Sequence, residues 1–323
     1  MIKLITLKPL KPYFFGGEIT FSDDSYIAYS RKLPQQTTLL GMLRKTLLLQ
    51  NGLLTRKRKG YWVDKENDNL AKKLVGDTSF DITKSFSLGV IKRISLLFLV
   101  KNNKKYFKKL NLDDFEYKDE ILWNVKKNRA YNSKDDYPKL WEYFFSENDR
   151  VKESEIFEEA KQIGIQKESD KDGYYKKISY KLKDDFKFAF LVEFDEDRLK
   201  EFKDFAFKDD IVELGGERSA FKMKVVDEKE WLNFSIFEKH SFISDVYCKM
   251  LLKDGNTDFA ITRDIPFGYL YTKRENGNLI FKKQKTVYIY EKGSILFNPS
   301  DNLLNHINSF KNLQKIGMNI IKE

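Results

Sequence analysis

Four consecutive residues, Gly215, Gly216, Glu217 and Arg218, carry the ingredients of an anion site between two strand-like runs, Ile211–Leu214 and Phe221–Val226. Glycine reaches positive φ without a Cβ penalty and lets another backbone come close. Arginine adds a planar fork of donors that matches phosphate. In the strand that follows, Phe221, Met223 and Val225 alternate with Lys222 and Lys224, giving one apolar and one basic face. The same residues also describe a plain glycine hairpin with a solvated arginine, because short glycine motifs recur by chance. The rest of the chain must decide.

Other residues with chemical potential are few. Asp23 and Asp24 could hold a divalent ion for phosphodiester cleavage, although Ser-Asp-Asp-Ser also reads as a turn. His240 and His306 are the two histidines, and neither lies in a nucleophile or metal-ligand motif. Cys248 is the single cysteine, in the apolar setting Val-Tyr-Cys-Lys-Met, which excludes an internal disulfide and a cysteine-based zinc site. There is no Walker loop, H-E-x-x-H pattern or G-x-S-x-G elbow. The expectation is a non-enzyme without cofactor or bound metal, with a metal-dependent ribonuclease acting through Asp23 and Asp24 as the alternative.

The chain has 59 Lys plus Arg against 49 Asp plus Glu, a net charge of +10, and a pI near 9.2. This balance suggests a polyanionic partner. Lysine runs at 56–59, 101–109, 126–129, 176–183 and 282–285 are interleaved in part with rings, as in Lys-Lys-Tyr106-Phe107-Lys-Lys and Tyr174-Tyr175-Lys176-Lys177. Lysine binds phosphate and rings stack bases, a mixture suited to single-stranded nucleic acid. A half-buried strand with a basic outer face has the same pattern. Met1–Leu7 starts as a strand rather than a signal peptide, and no apolar run reaches membrane-spanning length, so a cytoplasmic protein without a membrane partner is expected.

These residues need a scaffold, and 323 residues suffice for two domains. Residues 2–7 read as a strand ended by Pro9 and Pro12. A helix follows within the stretch Leu33 to Gly52, with a threonine N-cap, apolar positions 39, 43 and 47, and an Asn-Gly stop; Gly41 and Met42 suggest close packing on a sheet. Strands are expected at 90–100 and 186–194, a helix capped by Asp195 through about Phe207, and a strand ending near Val226. The order β-α-β-β-α-β is the ferredoxin-like split pattern. An insertion of about 101–185 separates the central strands. Within it, Ile163–Gln166 and Tyr174–Leu182 flank a projecting hairpin with Asp172-Gly173 at its turn. From 229 on, strands near 246–252 and 285–297, a helix near 300–315 and a strand at 318–321 suggest a second α+β unit. The fold expected is therefore α+β, with ferredoxin-like (RRM-like) domains at 1–228 and 229–323, the first carrying a helical and β-hairpin insertion.

Four marks occur in order: Lys8-Pro-Leu-Lys-Pro-Tyr-Phe-Phe-Gly-Gly17, Ser30-Arg-Lys-Leu-Pro-Gln-Gln-Thr-Thr-Leu-Leu-Gly-Met-Leu-Arg44, Ile163-Gly-Ile165 with Asp172-Gly-Tyr-Tyr175, and Leu214-Gly-Gly-Glu-Arg218. Together they resemble the RAMP subunit that binds the guide-RNA (crRNA) 5′ tag in type III-B (Cmr) CRISPR effector complexes, the third subunit of that complex. The likeness spans residues 1 to about 226, and the chain departs from it by carrying Phe-Gly-Gly-Glu after the paired aromatics. The equivalent tag-binding subunit of a type III-A complex is the nearest alternative. The resemblance implies a non-catalytic antiviral ribonucleoprotein subunit with tandem ferredoxin-like domains. It would grip the crRNA tag, join a large polymerase-like subunit to the backbone RAMP subunits, and meet target RNA indirectly. It further implies that Gly215, Gly216, Glu217 and Arg218 lie against the tag. Ser30 and Arg31 would lie nearby, with the helix N-terminus offering its amides. The hairpin Lys167 to Lys177, with Tyr174, Tyr175 and Lys176, would act as a thumb reaching the guide where tag meets spacer, its tyrosines either stacking there or packing in the core.

Overall fold

Alternation in the first residues sets the middle of the molecule: Ile5 and Leu7 of strand β1 (Ile2–Pro9) are completely buried, while Lys8 on the opposite face is exposed. The structure, a computed structural model, describes the chain apart from residues 18, 23–24, 58–59, 64, 78–79, 169–170, 184, 216, 251, 253–254, 269, 276–277 and 284–286. After β1 come β2 (Ile19–Ser22), β3 (Ser25–Tyr29) and helix α1 (Gln36–Gln50). Further strands that build the site are β4 (Ile91–Ile94), β5 (Phe98–Lys101), β6 (Lys104–Lys108), β7 (Tyr143–Ser146), β8 (Asp149–Lys152), β9 (Phe157–Glu168) and β10 (Lys171–Leu182). Then follow β11 (Lys187–Phe194), β12 (Asp210–Leu214) and β13 (Ser219–Glu228).

The main sheet is antiparallel in the order β8-β7-β6-β5-β11-β1-β13-β12, with β4 also paired to β11. Its central strands are those expected from the β-α-β-β-α-β reading, and the chain is mixed α+β. The expected strand at 90–100 is broken, however. Ser95 turns its hydroxyl to accept from the Leu191 amide at 2.8 Å, and residues 95–97 leave the ladder.

Helix α1 buries Leu39, Leu43 and Leu47 against the sheet, as its spacing predicts. Its start differs from the expectation. Gln35 is the N-cap, in extended conformation and without a side-chain cap, so the threonines fall inside the first turn. The buried Gln36 side chain fixes that turn: it donates to the carbonyls of Ser95 (2.8 Å) and Ile316 (2.6 Å) and accepts from the Leu97 amide (3.2 Å). Met42 is buried, but a Cβ on Gly41 would meet nothing within 4 Å, so Gly41 is not a close-packing glycine. The second expected helix is a single turn, Glu196–Leu199. Asp195 does cap it, accepting from the amides of Asp197 and Arg198. Beyond it Phe205 and Phe207 stay non-helical and pack edge-on against Phe194, so aromatic burial outweighs the helical period there.

The insertion holds a helix, Ser133–Leu140, a small sheet of Phe115–Lys118, Ile121–Asn124 and Arg129–Ala130, and the long hairpin β9–β10. That hairpin continues into a second sheet, β9-β10-β3-β2, in which β10 and β3 run parallel. Asp172 and Gly173 pair with Lys167 and Gln166 inside the ladder rather than forming the turn.

Past residue 228 the helix expected near 300 is present as Asp301–Ser309 and Lys311–Gln314, capped by the Ser300 hydroxyl accepting from the Leu303 amide. Among the described residues the strands here form three separate two-stranded ladders, 259–261 with 295–297, 264–267 with 287–290 and 270–275 with 278–283. The expected strand at 246–252 reduces to a bridge between Val246 and Tyr290, and that at 318–321 to a bridge between Phe242 and Ile321. Phe267, Ile289, Leu313, Ile316 and Met318 join the core under β1 and β11. No helix among the described residues is long and apolar enough to cross a membrane.

Candidate nucleic-acid interface

The glycine loop closes the hairpin β12–β13, where Leu214 pairs with Ser219. Gly215 has φ +85°, and a Cβ there would lie 2.5 Å from the Phe14 carbonyl oxygen, so both conformation and space demand glycine. Arg218 also has positive φ, +53°, and its amide donates to the Gly215 carbonyl at 3.2 Å. This tight curl leaves the Arg218 side chain exposed. Gly216 lies outside the described residues.

Beneath the loop runs the segment Tyr13–Gly17. The Phe14 amide donates to Ser219 Oγ (3.3 Å), the Phe15 amide to Ser30 Oγ (2.9 Å), and the Arg31 amide to the Gly16 carbonyl (3.0 Å). Ser30, only 7% exposed, in turn donates to the Arg31 carbonyl through its hydroxyl and to the Ile178 carbonyl through its amide. Ser30 therefore clasps three chain segments together. The Arg31 guanidinium reaches away from the loop, donating to the Pro266 carbonyl of the C-terminal region.

The hairpin brings its residues in on alternate faces. Tyr175 stacks on Tyr26 with centroids 5.7 Å apart and planes 14° off parallel, and its ring fills the place where a Cβ on Gly164 would go. Lys177, on the same face, pairs with Glu217 of the glycine loop and lies over the Phe14 ring at 4.9 Å. Tyr174 and Lys176 share the opposite face with Ile163 and Tyr29 by register; Tyr174 is 57% exposed. Lys167 stands in β9 near the hairpin end, paired with Asp172.

Two concavities flank this arrangement. A groove of about 300 Å³ lies between the glycine loop and α1, lined by Phe15, Thr38, Gly41, Lys45, Gly215 and Arg218. Lys45 donates to Glu213 across it at 2.7 Å. Gly41, bare toward solvent, keeps the groove open. The N-terminus of α1 turns the other way: Pro34 and Gln35 line a second cavity of about 350 Å³, together with Tyr29, Arg31, Lys32 and Arg263. In its wall Glu153 receives both Lys32 and Lys108. Burial pushes the Glu153 carboxyl up, but the two lysines outweigh it and hold the group below the usual carboxylate range.

The structure thus joins Gly215, Glu217 and Arg218 with Tyr175 through Lys177, and separates Tyr174, Lys176 and Arg31 onto the far side. The sequence reading has Lys177 only as the end of the thumb hairpin and Phe14 only within the paired aromatics, and it omits Lys45. Gly16-Gly17 was their available signal, since Gly17 sits where a Cβ would be 2.1 Å from the Tyr29 carbonyl oxygen. Asp23 and Asp24 lie outside the described residues. Among the described residues no group of three His, Cys, Asp or Glu is placed to hold a metal ion.

Residues 111–253 match the family of the CRISPR-associated protein (Cas_Cmr3). Among solved structures, a chain of type III-B Cmr-beta bound to cognate target RNA and AMPPnP is similar over 100% of this chain and 96% of its own, at 17% identity and a TM-score of 0.55. A chain of type III-B Cmr-beta bound to cognate target RNA matches over 99% of this chain and 96% of its own, at 16% identity and a TM-score of 0.53. No curated protein sequence matches. The structural likenesses establish the fold from end to end, and the family match falls on the insertion, the hairpin and the glycine loop. Over residues 111–253 the chain is thus similar to the Cas_Cmr3 family of CRISPR-associated proteins.

Proposed function

We propose that this protein is a non-catalytic, RNA-binding subunit of a type III-B CRISPR effector, in which the glycine loop and the hairpin clamp the 5′ tag of the crRNA. In that reading its two ferredoxin-like units, about 1–228 and 229–323, bridge the large polymerase-like subunit and the backbone subunits. One observation carries the clamp: the glycine loop, whose Gly215 and Arg218 line the groove, is met by Phe14 beneath Gly215 and by Lys177 at Glu217, so three distant parts of the chain converge on it. The exposed Arg218 suits phosphate, and Lys177 is the neighbouring cation. The RNA bound by the Cmr-beta structures of like fold supports this reading.

The Glu217 carboxylate would compete with phosphate for Lys177, so RNA would have to draw Lys177 away from it. Affinity for a single-stranded RNA carrying the host tag, measured by filter binding with wild type and Gly215→Ala, tests the clamp. The variant is expected to bind at least about tenfold more weakly, through the loss of loop geometry. Equal binding would remove the glycine loop from the site.

A further inference from the structure

The outer face of the main sheet is covered over β11 and β5 but open over β13 and β12. Leu232, Phe237 and Ile243 pack on Phe98, Ala189 and Leu191, and this cover ends at β1. Beyond it Lys8, Lys222 and Lys224 stand exposed, Lys8 directly opposite Lys222 in the ladder and Lys224 opposite Thr6. Like charges directly opposite on antiparallel strands oppose folding.

None of these three lysines has an ion-pair partner among the described residues. The nearby carboxylates are engaged elsewhere: Asp227 with Lys3 at 2.6 Å, Glu228 with Lys105 at 3.8 Å, and Glu213 with Lys45 at 2.7 Å. Guarding a sheet edge does not explain them either, because β1 and β13 are interior strands and β12 is the edge. Beside them Ile211 and Val226 are 66% and 54% exposed.

We infer that this open face docks an acidic protein surface that also offers apolar contact, which deepens the proposed function by assigning a face and a chemistry to one of its protein partners. Ile211 is opposite Lys222, and Val226 is two residues beyond Lys224 on the same face, so apolar and cationic groups interleave in one patch. The strands of this patch contribute no arginine and no aromatic ring to it, whereas a single-strand RNA surface relies on stacking rings. An acidic protein is therefore favoured over a second nucleic-acid track.

The experiment uses the full chain with Lys8→Gln, Lys222→Gln and Lys224→Gln combined, and measures dissociation constants for each purified protein subunit of its effector and, separately, for guide RNA. Removing like charges should leave Tm unchanged or raise it, so loss of fold does not confound the result. Binding to one protein subunit should weaken by about tenfold or more, with guide-RNA affinity shifting by less than about threefold. A further variant, Lys222→Glu, should weaken that subunit more than Lys222→Gln does. Unchanged affinity for every protein subunit, or a loss confined to RNA, overturns the proposal. A wild-type chain that binds neither RNA nor any subunit breaks instead the functional reading on which it rests.

Discussion

On one face of the hairpin β9–β10, Tyr175 and Lys177 are already engaged, stacked on Tyr26 and paired with Glu217. On the other, Tyr174 and Ile163 stand open at 57% and 72% exposure. In sequence Tyr174–Lys177 is one basic-aromatic cluster, but strand alternation divides it into two unlike surfaces. The engaged face meets the glycine loop and is preorganised, because its side chains lost their freedom on folding. The open face continues through Tyr29 toward the cavity walled by Lys32, Glu153 and Lys108, and ordering of the exposed Tyr174 and Ile163 must come from a ligand.

Removing one ion on the cavity side should have the largest effect. Glu153→Gln leaves Lys108, whose side chain is 5% exposed, without its counter-charge, and is expected to cost about 3 kcal/mol or more of stability in denaturant unfolding. Because the folded Glu153 carboxyl is held below its unfolded value, its contribution is present above the unfolded carboxylate range and is lost as pH falls through the folded value. The gap in stability between wild type and Glu153→Gln should therefore narrow on acidification below about pH 4. A gap that is constant with pH would mean that the lysines do not set this charge.

Gly215→Ala comes next, on the loop side, where positive φ and the Phe14 carbonyl both resist a Cβ. About 1–3 kcal/mol of stability should be lost along with RNA affinity. The two tyrosines sharpen the comparison of faces. Tyr174→Ala should weaken RNA binding by about 1–3 kcal/mol while leaving Tm in place, whereas Tyr175→Ala should lower Tm as well, because it removes the Tyr26 stack. If both variants lower Tm equally, the division into open and engaged faces fails. The smallest effect is expected from Arg218→Ala. It should reduce the slope of log affinity against log salt by about 0.7, the loss of one phosphate contact to a single strand.

Much of this was legible in the residues. The alternation in Ile2–Leu7 and Phe221–Val225, the spacing of Leu39, Leu43 and Leu47, and the Asp195 cap each named their element because one local force dominates there. Where two forces compete, the reading went astray. Phe202–Phe207 has helical spacing, yet Phe205 and Phe207 reach Phe194 without a helix. Asp172-Gly173 is a favoured turn pair, but the ladder runs two residues farther. Gly41 looked like a packing glycine and instead keeps the groove open.

The site was legible only in pieces. Gly215 and Arg218 announced themselves by type, but nothing local shows that Phe14 will lie under the loop or that Lys177, not Lys176, will meet Glu217. Those contacts span more than two hundred residues in one case and forty in the other. They follow from sheet register, which depends on the whole core. The unpaired lysines of β1 and β13 were likewise readable as a basic strand face, while their lack of carboxylate partners emerges only from the folded chain.

The central claim is that this chain holds crRNA by its 5′ tag, and the direct measurement is to isolate the chain from its native host, sequence the bound RNA and identify the proteins that accompany it. The account predicts guide RNAs sharing one 5′ tag, together with a large polymerase-like subunit and backbone subunits. Recovery of the chain without RNA, or with RNA lacking a common 5′ sequence, would contradict it.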